Sequence, residues 1–214
     1  MKDIVLVGSS GFAKEVRWLI EECNSDDKRW NILGWISKEP PGTIVAGLPV
    51  LGDDDWLIDY QKPIDVAISV GNGFLRRKIV ERYVKNQNIS FPNIIAPSAQ
   101  MSRSVDLGVG CIVTAQSIFT VDIKIGDFLI SNLASTIGHD CKIGNYVTLF
   151  PGVHVSGNVT LGDCTSVGTG ANIIQGLTVG ENSFIGAGAA VVKNIPSNCT
   201  AVGIPAKPLV KKNE

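Results

Sequence analysis

Residues 137–191 read IGHDCKIGNYVTLFPGVHVSGNVTLGDCTSVGTGANIIQGLTVGENSFIGAGAAV, and every sixth position from Ile137 to Val191 is aliphatic. The period extends back to Met101 with Ser131 as its one polar anchor, and glycine often follows an anchor. An α-helix cannot keep this pattern on one face, because six residues rotate the side chain by about 240°. A parallel β-helix can, since three strand-and-turn hexapeptides complete one triangular coil. We therefore predict about five stacked coils over residues 105–196.

The sequence before the repeat predicts a small α/β subdomain. An apolar run at 3–8 ends in the glycine turn GSSG at 8–11, and helical spacing follows at 12–23. Further strands are predicted at 30–36 and 64–70, and further helices at 53–60 and 74–85. The predicted fold class is a Rossmann-like β-α-β-α-β subdomain over residues 1–96, followed by a parallel β-helix with a C-terminal tail over 97–214.

Composition argues against several classes of function. The 214 residues carry a formal charge of −1 with a pI near 6.1, so the chain lacks the basic surface that binds nucleic acid or an anionic membrane. Its first apolar run is too short to span a bilayer and lacks a signal-peptide cleavage pattern, so we expect a cytoplasmic protein without membrane insertion. Five scattered cysteines without a CxxC pair argue against disulfides and structural zinc. The two histidines, His139 and His154, are too few for a three-histidine metal site, so no metal is expected.

Two glycine loops are predicted at the same edge of the sheet. The second, SVGNG at 69–73, follows the third predicted strand. A glycine turn that leads into a helix exposes unpaired N–H groups and is a natural anion site, and open α/β sheets bind ligands at this edge. The alternative is that both loops are simply tight turns. NAD binding is not expected, because the G-x-G-x-x-G spacing and an acidic residue ending the second strand are absent.

Five segments match one family in order: GSSGFAKEV at 8–16, SVGNGFLRRKI at 69–79, IGHDCKIG at 137–144, SGNVTLGD at 156–163 and VGIPAKPL at 202–209. The chain resembles the sialic acid O-acetyltransferase type of hexapeptide-repeat sugar acyltransferases, which includes bacterial N-acetyltransferases acting on nucleotide-linked 4-amino sugars. The resemblance implies a left-handed β-helix, a homotrimer, a nucleotide-sugar acceptor on the N-terminal subdomain, and acetyl-CoA as co-substrate in a groove between subunits. It also implies that His139 is the general base and that Asp140 orients it.

The resemblance assigns binding roles residue by residue. It implies acetyl-CoA contacts along the prism edge by Thr148, Gly157, Thr169, Thr178 and Ala187. Lys207, in the C-terminal tail, is expected to contact a CoA phosphate as a point charge. The resemblance implies acceptor contacts by Ser10, Gly11, Phe12, Gly71, Asn72 and Asn132. Lys207 has an alternative as a solvated lysine in a basic tail with Lys211 and Lys212. Because Asn132 follows the polar anchor Ser131, we expect that coil to be distorted toward the active site.

The chemistry expected at His139 is removal of a proton from the attacking nucleophile, a task that suits imidazole. His139 lies two residues after the anchor Ile137, so we expect it at a corner of the prism, where the alternative is a solvated polar turn residue. Gly157 follows one coil later and is expected to leave room above the base. Cys141 falls in an inward slot, so its thiol should be buried and inert, and no acyl-enzyme is required. The N–H groups of Ser156 and Gly157 are candidate donors to an oxyanion.

Two positions depart from the family pattern. Thr148 stands where relatives often carry a second histidine, and Phe12 stands where many have a histidine that touches the acceptor sugar.

Three hypotheses for the function remain. The first hypothesis is direct acetyl transfer, in a ternary complex, to the amino group of a nucleotide-linked amino sugar for bacterial surface glycan synthesis. The second is O-acetylation of a sugar hydroxyl or of another small acceptor such as serine. The third is a non-catalytic trimeric scaffold.

Overall fold

The N-terminal half of the chain folds into one six-stranded sheet with three helices. The computed structural model describes residues 1–209. The strands are β1 (Lys2–Val7), β2 (Trp30–Ile36), β3 (Ile44–Val45), β4 (Leu48–Gly52), β5 (Ile64–Ile68) and β6 (Ile89–Ser90), and the helices are α1 (Gly11–Asp26), α2 (Asp54–Ile58) and α3 (Gly73–Tyr83). The strand order is β3-β4-β2-β1-β5-β6, and all neighbouring pairs are parallel except the hairpin of β3 and β4.

Alternation along β1 explains why both faces of the sheet are covered. Ile4 and Leu6 lie in the core that includes α1, whereas Val5 and Val7 lie in the core that includes α2 and α3, because successive side chains of a strand point to opposite faces. Each predicted strand and helix of this half is present. The prediction of only three strands is wrong, since β3 and β6 have two residues each and β4 contains Pro49, which leaves too little periodicity to detect.

The C-terminal half is a left-handed parallel β-helix with three faces. We call them the covered face, the second face and the third face. The covered face contains β7 (Ile94–Ile95), β10 (Ile112–Val113), β13 (Ile130–Ser131), β16 (Thr148–Leu149), β19 (Ser166–Val167), β22 (Phe184–Ile185), β24 (Thr200–Val202) and the antiparallel β25 (Lys207–Pro208). The second face contains β8 (Gln100–Met101), β11 (Ile118–Phe119), β14 (Thr136–Ile137), β17 (His154–Val155), β20 (Asn172–Ile173) and β23 (Ala190–Val191). The third face contains β9 (Asp106–Leu107), β12 (Lys124–Ile125), β15 (Lys142–Ile143), β18 (Thr160–Leu161) and β21 (Thr178–Val179).

The coils stack with the predicted period. Each complete coil gives one strand to every face, so the five strands of the third face mark five coils. Ile112 pairs with Ile130 in the next coil, a spacing of three hexapeptides. The prism begins at Ile94, before the predicted start at residue 105, because Ile95 and Met101 already pack against the core of the prism.

The polar anchor Ser131 does not distort its coil. It is fully buried, its Oγ lies 3.2 Å from Ser117 Oγ, and β13 pairs in register with both neighbours. The predicted distortion toward the active site is therefore wrong, because a second serine within the core satisfies the hydroxyl.

The two halves of the chain pack through the covered face of the prism. Ile94, Ile112 and Ile130 lie in the same buried core as the apolar side of α1. Their outward side chains are aliphatic because α1 covers this part of the face and keeps it from water. No helix within the described residues is long and apolar enough to cross a membrane.

Candidate active site

His139 and Asp140 form a hydrogen-bonded pair on one corner of the prism. Both lie in the turn between β14 and β15, one of the turns that link the second face to the third, which we call the histidine corner. His139 Nδ1 lies 2.8 Å from Asp140 Oδ2, and both side chains are more than half exposed. With Nδ1–H donating to the carboxylate, Nε2 has the free lone pair that a general base needs. The predicted position of His139 at an exposed corner is confirmed.

The backbone of this turn explains how two adjacent side chains meet. Neighbouring residues of a strand point in opposite directions, but Asp140 has a left-handed φ of 59°. The same conformation recurs one and two coils later, at Asn158 with φ 55° and at Gly176 with φ 75°. The repeated turn of the prism therefore supplies the geometry of the pair.

The His139 imidazole lies directly against Gly157 of the next coil. A Cβ at Gly157 would lie only 2.4 Å from His139 Nε2, a distance that no side chain tolerates. Glycine at this position does leave room, as predicted from the repeat. The space is filled by the imidazole itself, which corrects the expectation that it would remain open above the base.

A pocket of about 580 Å³ opens in front of the pair. Three successive turns of the histidine corner line it, through His139, Asp140, Gly157, Asn158, Gln175 and Gly176. The amides of Asn158 and Gln175 were not among the predicted site residues. Both were detectable from the repeat, because each stands one coil after a predicted site residue, Asp140 and Gly157.

The backbone N–H groups that line this pocket differ in whether they already have an acceptor. The N–H of Ser156 donates to the Ile173 carbonyl at 3.0 Å, so the prediction of Ser156 as an oxyanion donor is wrong. The N–H groups of His139, Gly157 and Gln175 have no acceptor among the described residues, and the Gly157 carbonyl accepts from the Gly176 N–H. Gly157 is our candidate oxyanion donor among these three, because it lies directly against the His139 imidazole.

Cys141 is unsuited to act as a nucleophile. Its Sγ donates to the Ser156 carbonyl at 3.1 Å and accepts from the Val159 N–H at 3.4 Å. Burial raises the pKa of the Cys141 thiol, so the reactive thiolate is disfavoured. The prediction of a buried, inert thiol is confirmed.

The two glycine loops lie at the same edge of the N-terminal sheet, since β1 and β5 are parallel neighbours. Ser10 is the N-cap of α1 but makes no side-chain capping bond, which leaves first-turn N–H groups free for an anion. Asn72 does cap α3, through Oδ1 and the Leu75 N–H at 2.9 Å. Gly11 begins α1, and the half-buried Phe12 packs against the core below it.

Glu39 adds a carboxylate to this edge that the sequence did not reveal. Its Oε1 accepts from Ser9 Oγ at 2.8 Å, and its other oxygen accepts from Ser37 Oγ. These bonds lower the pKa of the Glu39 carboxyl and keep it ionised. The residue was missed because it lies three positions beyond the end of β2 at Ile36.

The predicted acetyl-CoA contacts are spread around one protomer. Gly157 lies at the histidine corner and Thr178 on the third face. Thr169 and Ala187 lie at the first corner, our name for the turns that link the covered face to the second face. The predicted acceptor residue Asn132 also lies at the first corner, away from His139.

Two further predicted contacts lie near the covered face. Lys207 is exposed on β25, and Lys211 and Lys212 lie outside the described residues. Thr148 is 1% exposed, and its hydroxyl donates to the Gly71 carbonyl at 2.7 Å. The predicted acetyl-CoA contact of Thr148 is contradicted by this burial, because its hydroxyl is already bonded between the two halves of the chain.

The remaining histidine stands apart from the site. His154 is exposed on β17, with Nδ1 3.0 Å from Thr136 Oγ1. It therefore fits the surface role expected for it. Within residues 1–209, no group of three histidine, cysteine or acidic side chains is arranged to hold a metal ion.

Comparison with known proteins extends over both halves of the chain. Residues 3–83 match the family model described as the PglD N-terminal domain. The chain is 33% identical to the acetyltransferase domain of PglB from Neisseria gonorrhoeae, with a TM-score of 0.89 over 98% of this chain and 100% of that one. It is 31% identical to a mutant perosamine N-acetyltransferase from Caulobacter crescentus, solved with CoA and GDP-perosamine, with a TM-score of 0.90 over 99% and 98% of the two chains.

WeeI from Acinetobacter baumannii is 31% identical, with a TM-score of 0.88 over 98% of this chain and 100% of that one. Comparison with curated proteins gave no significant match. The structural matches span the sheet subdomain and the prism together at more than 30% identity, so the chain belongs to the family of hexapeptide-repeat sugar acetyltransferases and is an acyltransferase.

Proposed function

We propose that the chain transfers the acetyl group of acetyl-CoA to the amino group of a nucleotide-linked amino sugar. One relative that matches over almost the whole chain is a perosamine N-acetyltransferase solved with CoA and GDP-perosamine, and the PglB acetyltransferase domain was solved with acetyl coenzyme A. The observation that carries the proposal is the His139–Asp140 pair, with its open pocket, at a corner of the prism.

The proposed reaction is direct transfer in a ternary complex. The sugar amine attacks the thioester carbonyl carbon, and His139 Nε2 accepts the proton that the amine loses as the C–N bond forms. The C–S bond then breaks, and the proton passes to the CoA sulfur. Asp140 holds the imidazole in the tautomer that leaves Nε2 free, and the Gly157 N–H stabilises the negative charge on the carbonyl oxygen.

The acceptor is proposed to bind at the two glycine loops, with a nucleotide phosphate at the uncapped N-terminus of α1. Ser10, Gly11, Gly71 and Asn72 form the loops, and Phe12 presents an apolar edge where relatives often carry histidine. Glu39 adds a carboxylate that can accept hydrogen bonds from sugar hydroxyls.

We further propose a homotrimer that acts in the cytoplasm in bacterial surface glycan synthesis. Gly157 lies at the histidine corner, whereas Thr169, Ala187 and Asn132 lie at the first corner of the same protomer. The acetyl-CoA contacts among them, Gly157, Thr169 and Ala187, can meet one ligand if the first corner of one copy faces the histidine corner of another. The distribution of the predicted contacts therefore supports a site shared between subunits.

The test is release of CoA thiol from acetyl-CoA with UDP-, GDP- and dTDP-linked amino sugars and their unaminated counterparts, with the product identified by mass and NMR. Acetylation of one amino sugar at nitrogen is the expected result. Turnover of hydroxyl acceptors alone would replace the proposal with O-acetylation.

A further inference from the structure

Arg76 of α3 is a fully buried cation that the proposed chemistry does not use. Its side chain is 1% exposed, and the described side chains include no carboxylate paired with it. Burial lowers the pKa of Arg76 to about 10, a sign of the cost of removing the guanidinium from water. A buried charge without a counter-ion is tolerated only where many hydrogen bonds satisfy it.

The hydrogen bonds of Arg76 join two parts of the molecule. On the prism side, Nε donates to the Phe128 carbonyl at 3.0 Å, and Nη2 donates to the Tyr146 carbonyl at 2.8 Å and the Val147 carbonyl at 3.1 Å. On the N-terminal side, Nη1 donates to the Val70 carbonyl at 2.6 Å and to the Gly71 carbonyl at 3.1 Å.

Thr148 closes this network. Its Oγ1 accepts from Arg76 Nη2 at 3.1 Å and donates to the Gly71 carbonyl at 2.7 Å. Gly71 is thus bonded by both side chains at once. The neighbouring Gly73 is so close to the prism that a Cβ there would lie 2.2 Å from the Tyr146 carbonyl oxygen.

We propose that Arg76 and Thr148 form a positioning pair that fixes the loop at 70–72 on the prism and thereby sets where the acceptor is held. The inference rests on the proposed function in one respect, that this loop contacts the acceptor. The pair touches neither His139 nor its pocket, so it acts through the loop alone. It also gives Thr148 a task different from acetyl-CoA binding.

The pair is tested with Thr148→Val, because removal of Arg76 would leave several buried carbonyls without a donor and threaten folding. Valine keeps the volume of threonine but loses both hydrogen bonds, and Thr148→Ser restores them. Thr165→Val is the matched control, since Thr165 is also fully buried in the prism and donates to a glycine carbonyl, that of Gly180, at 3.0 Å.

Two readouts separate the pair from a general loss of stability. Hydrogen exchange of the peptide at 69–75 is expected to be faster in Thr148→Val than in Thr165→Val and to return to the wild-type rate in Thr148→Ser. In steady-state kinetics, the KM for the acceptor is expected to rise about tenfold in Thr148→Val alone, while kcat and the KM for acetyl-CoA stay unchanged.

Equal exchange in the two valine variants would overturn the proposal. So would a rise in the KM for acetyl-CoA alone, which would make Thr148 a co-substrate contact. Absence of turnover with every acceptor in the wild-type enzyme would instead overturn the proposed function, and the exchange measurement would still decide whether the pair holds the loop.

Discussion

The position of the His139 side chain depends on the contact between its imidazole and Gly157. The His139 imidazole has no packed wall of side chains around it, since it is more than half exposed. Its position is set by the Asp140 carboxylate on one side and the bare Cα of Gly157 on the other. Each of these supports is removed by a single substitution.

Gly157→Ala is expected to abolish most turnover while the fold persists. The three atoms that the added Cβ would approach most closely all belong to the His139 ring, which can rotate away. Displacement of the proposed base by about 1 Å costs about 10²-fold in kcat. Gly144→Ala is the control, because its Cβ would meet the Asp163 backbone at 2.7 Å and would lower stability instead. Steady-state kinetics and thermal unfolding of both variants check this. A Gly157→Ala enzyme with wild-type kcat would contradict the geometry.

Asp140→Asn is expected to lower kcat about 10- to 100-fold with little change in KM, because the amide holds the ring but lacks the negative charge that favours the base. The matched control is Asp122→Asn, one coil earlier on the same corner, where the backbone has the same left-handed φ of 56° but no histidine precedes it. Equal rates in the two variants would show that Asp140 has no role in orienting the base.

At the scale of elements, the helix α3 connects the sheet subdomain to the prism through its first turn. Gly73→Ala is expected to lower the free energy of unfolding by about 1–3 kcal/mol, because its Cβ would meet the Tyr146 backbone. Gly11→Ala is the control, since Gly11 also begins a helix but a Cβ there meets nothing within 4 Å. Denaturant unfolding measures the difference, and equal loss in both variants would contradict the tight docking of α3.

Elements with a strong period were predictable from sequence, and those defined by tertiary contacts were not. The strand at 30–36 and every anchor of the prism follow from local pattern. The strands β3 and β6 are too short to show a period, and they form because neighbouring strands offer them partners. Thr148 resembles any other outward prism residue in sequence, and only the packing of α3 over the covered face buries it.

The whole molecule is expected to be a homotrimer of about three times 22.8 kDa. Within one protomer, the first corner and the histidine corner lie on different edges of the prism. The predicted acetyl-CoA contacts therefore do not lie together in a single copy. Size-exclusion chromatography with light scattering measures the mass directly. An active monomer would show that acetyl-CoA binds without the first corner of a second copy.

Only part of the candidate site is predictable from the sequence. The repeat determines which residues stack above His139, and so it places Gly157, Asn158 and Gln175 near this histidine. It does not state which corner of one copy meets another, because that depends on the association of complete prisms. The position of Glu39 likewise depends on how Ser9 and Ser37 meet across the sheet edge.

The most direct measurement is the rate of CoA release with the best acceptor, compared among wild type, His139→Ala and His154→Ala. His154 is the matched control, because it is an exposed prism histidine outside the pocket. If His139 is the base, kcat falls about 10²- to 10⁴-fold in His139→Ala and stays at the wild-type value in His154→Ala. Equal rates in His139→Ala and wild type would show that another group removes the proton.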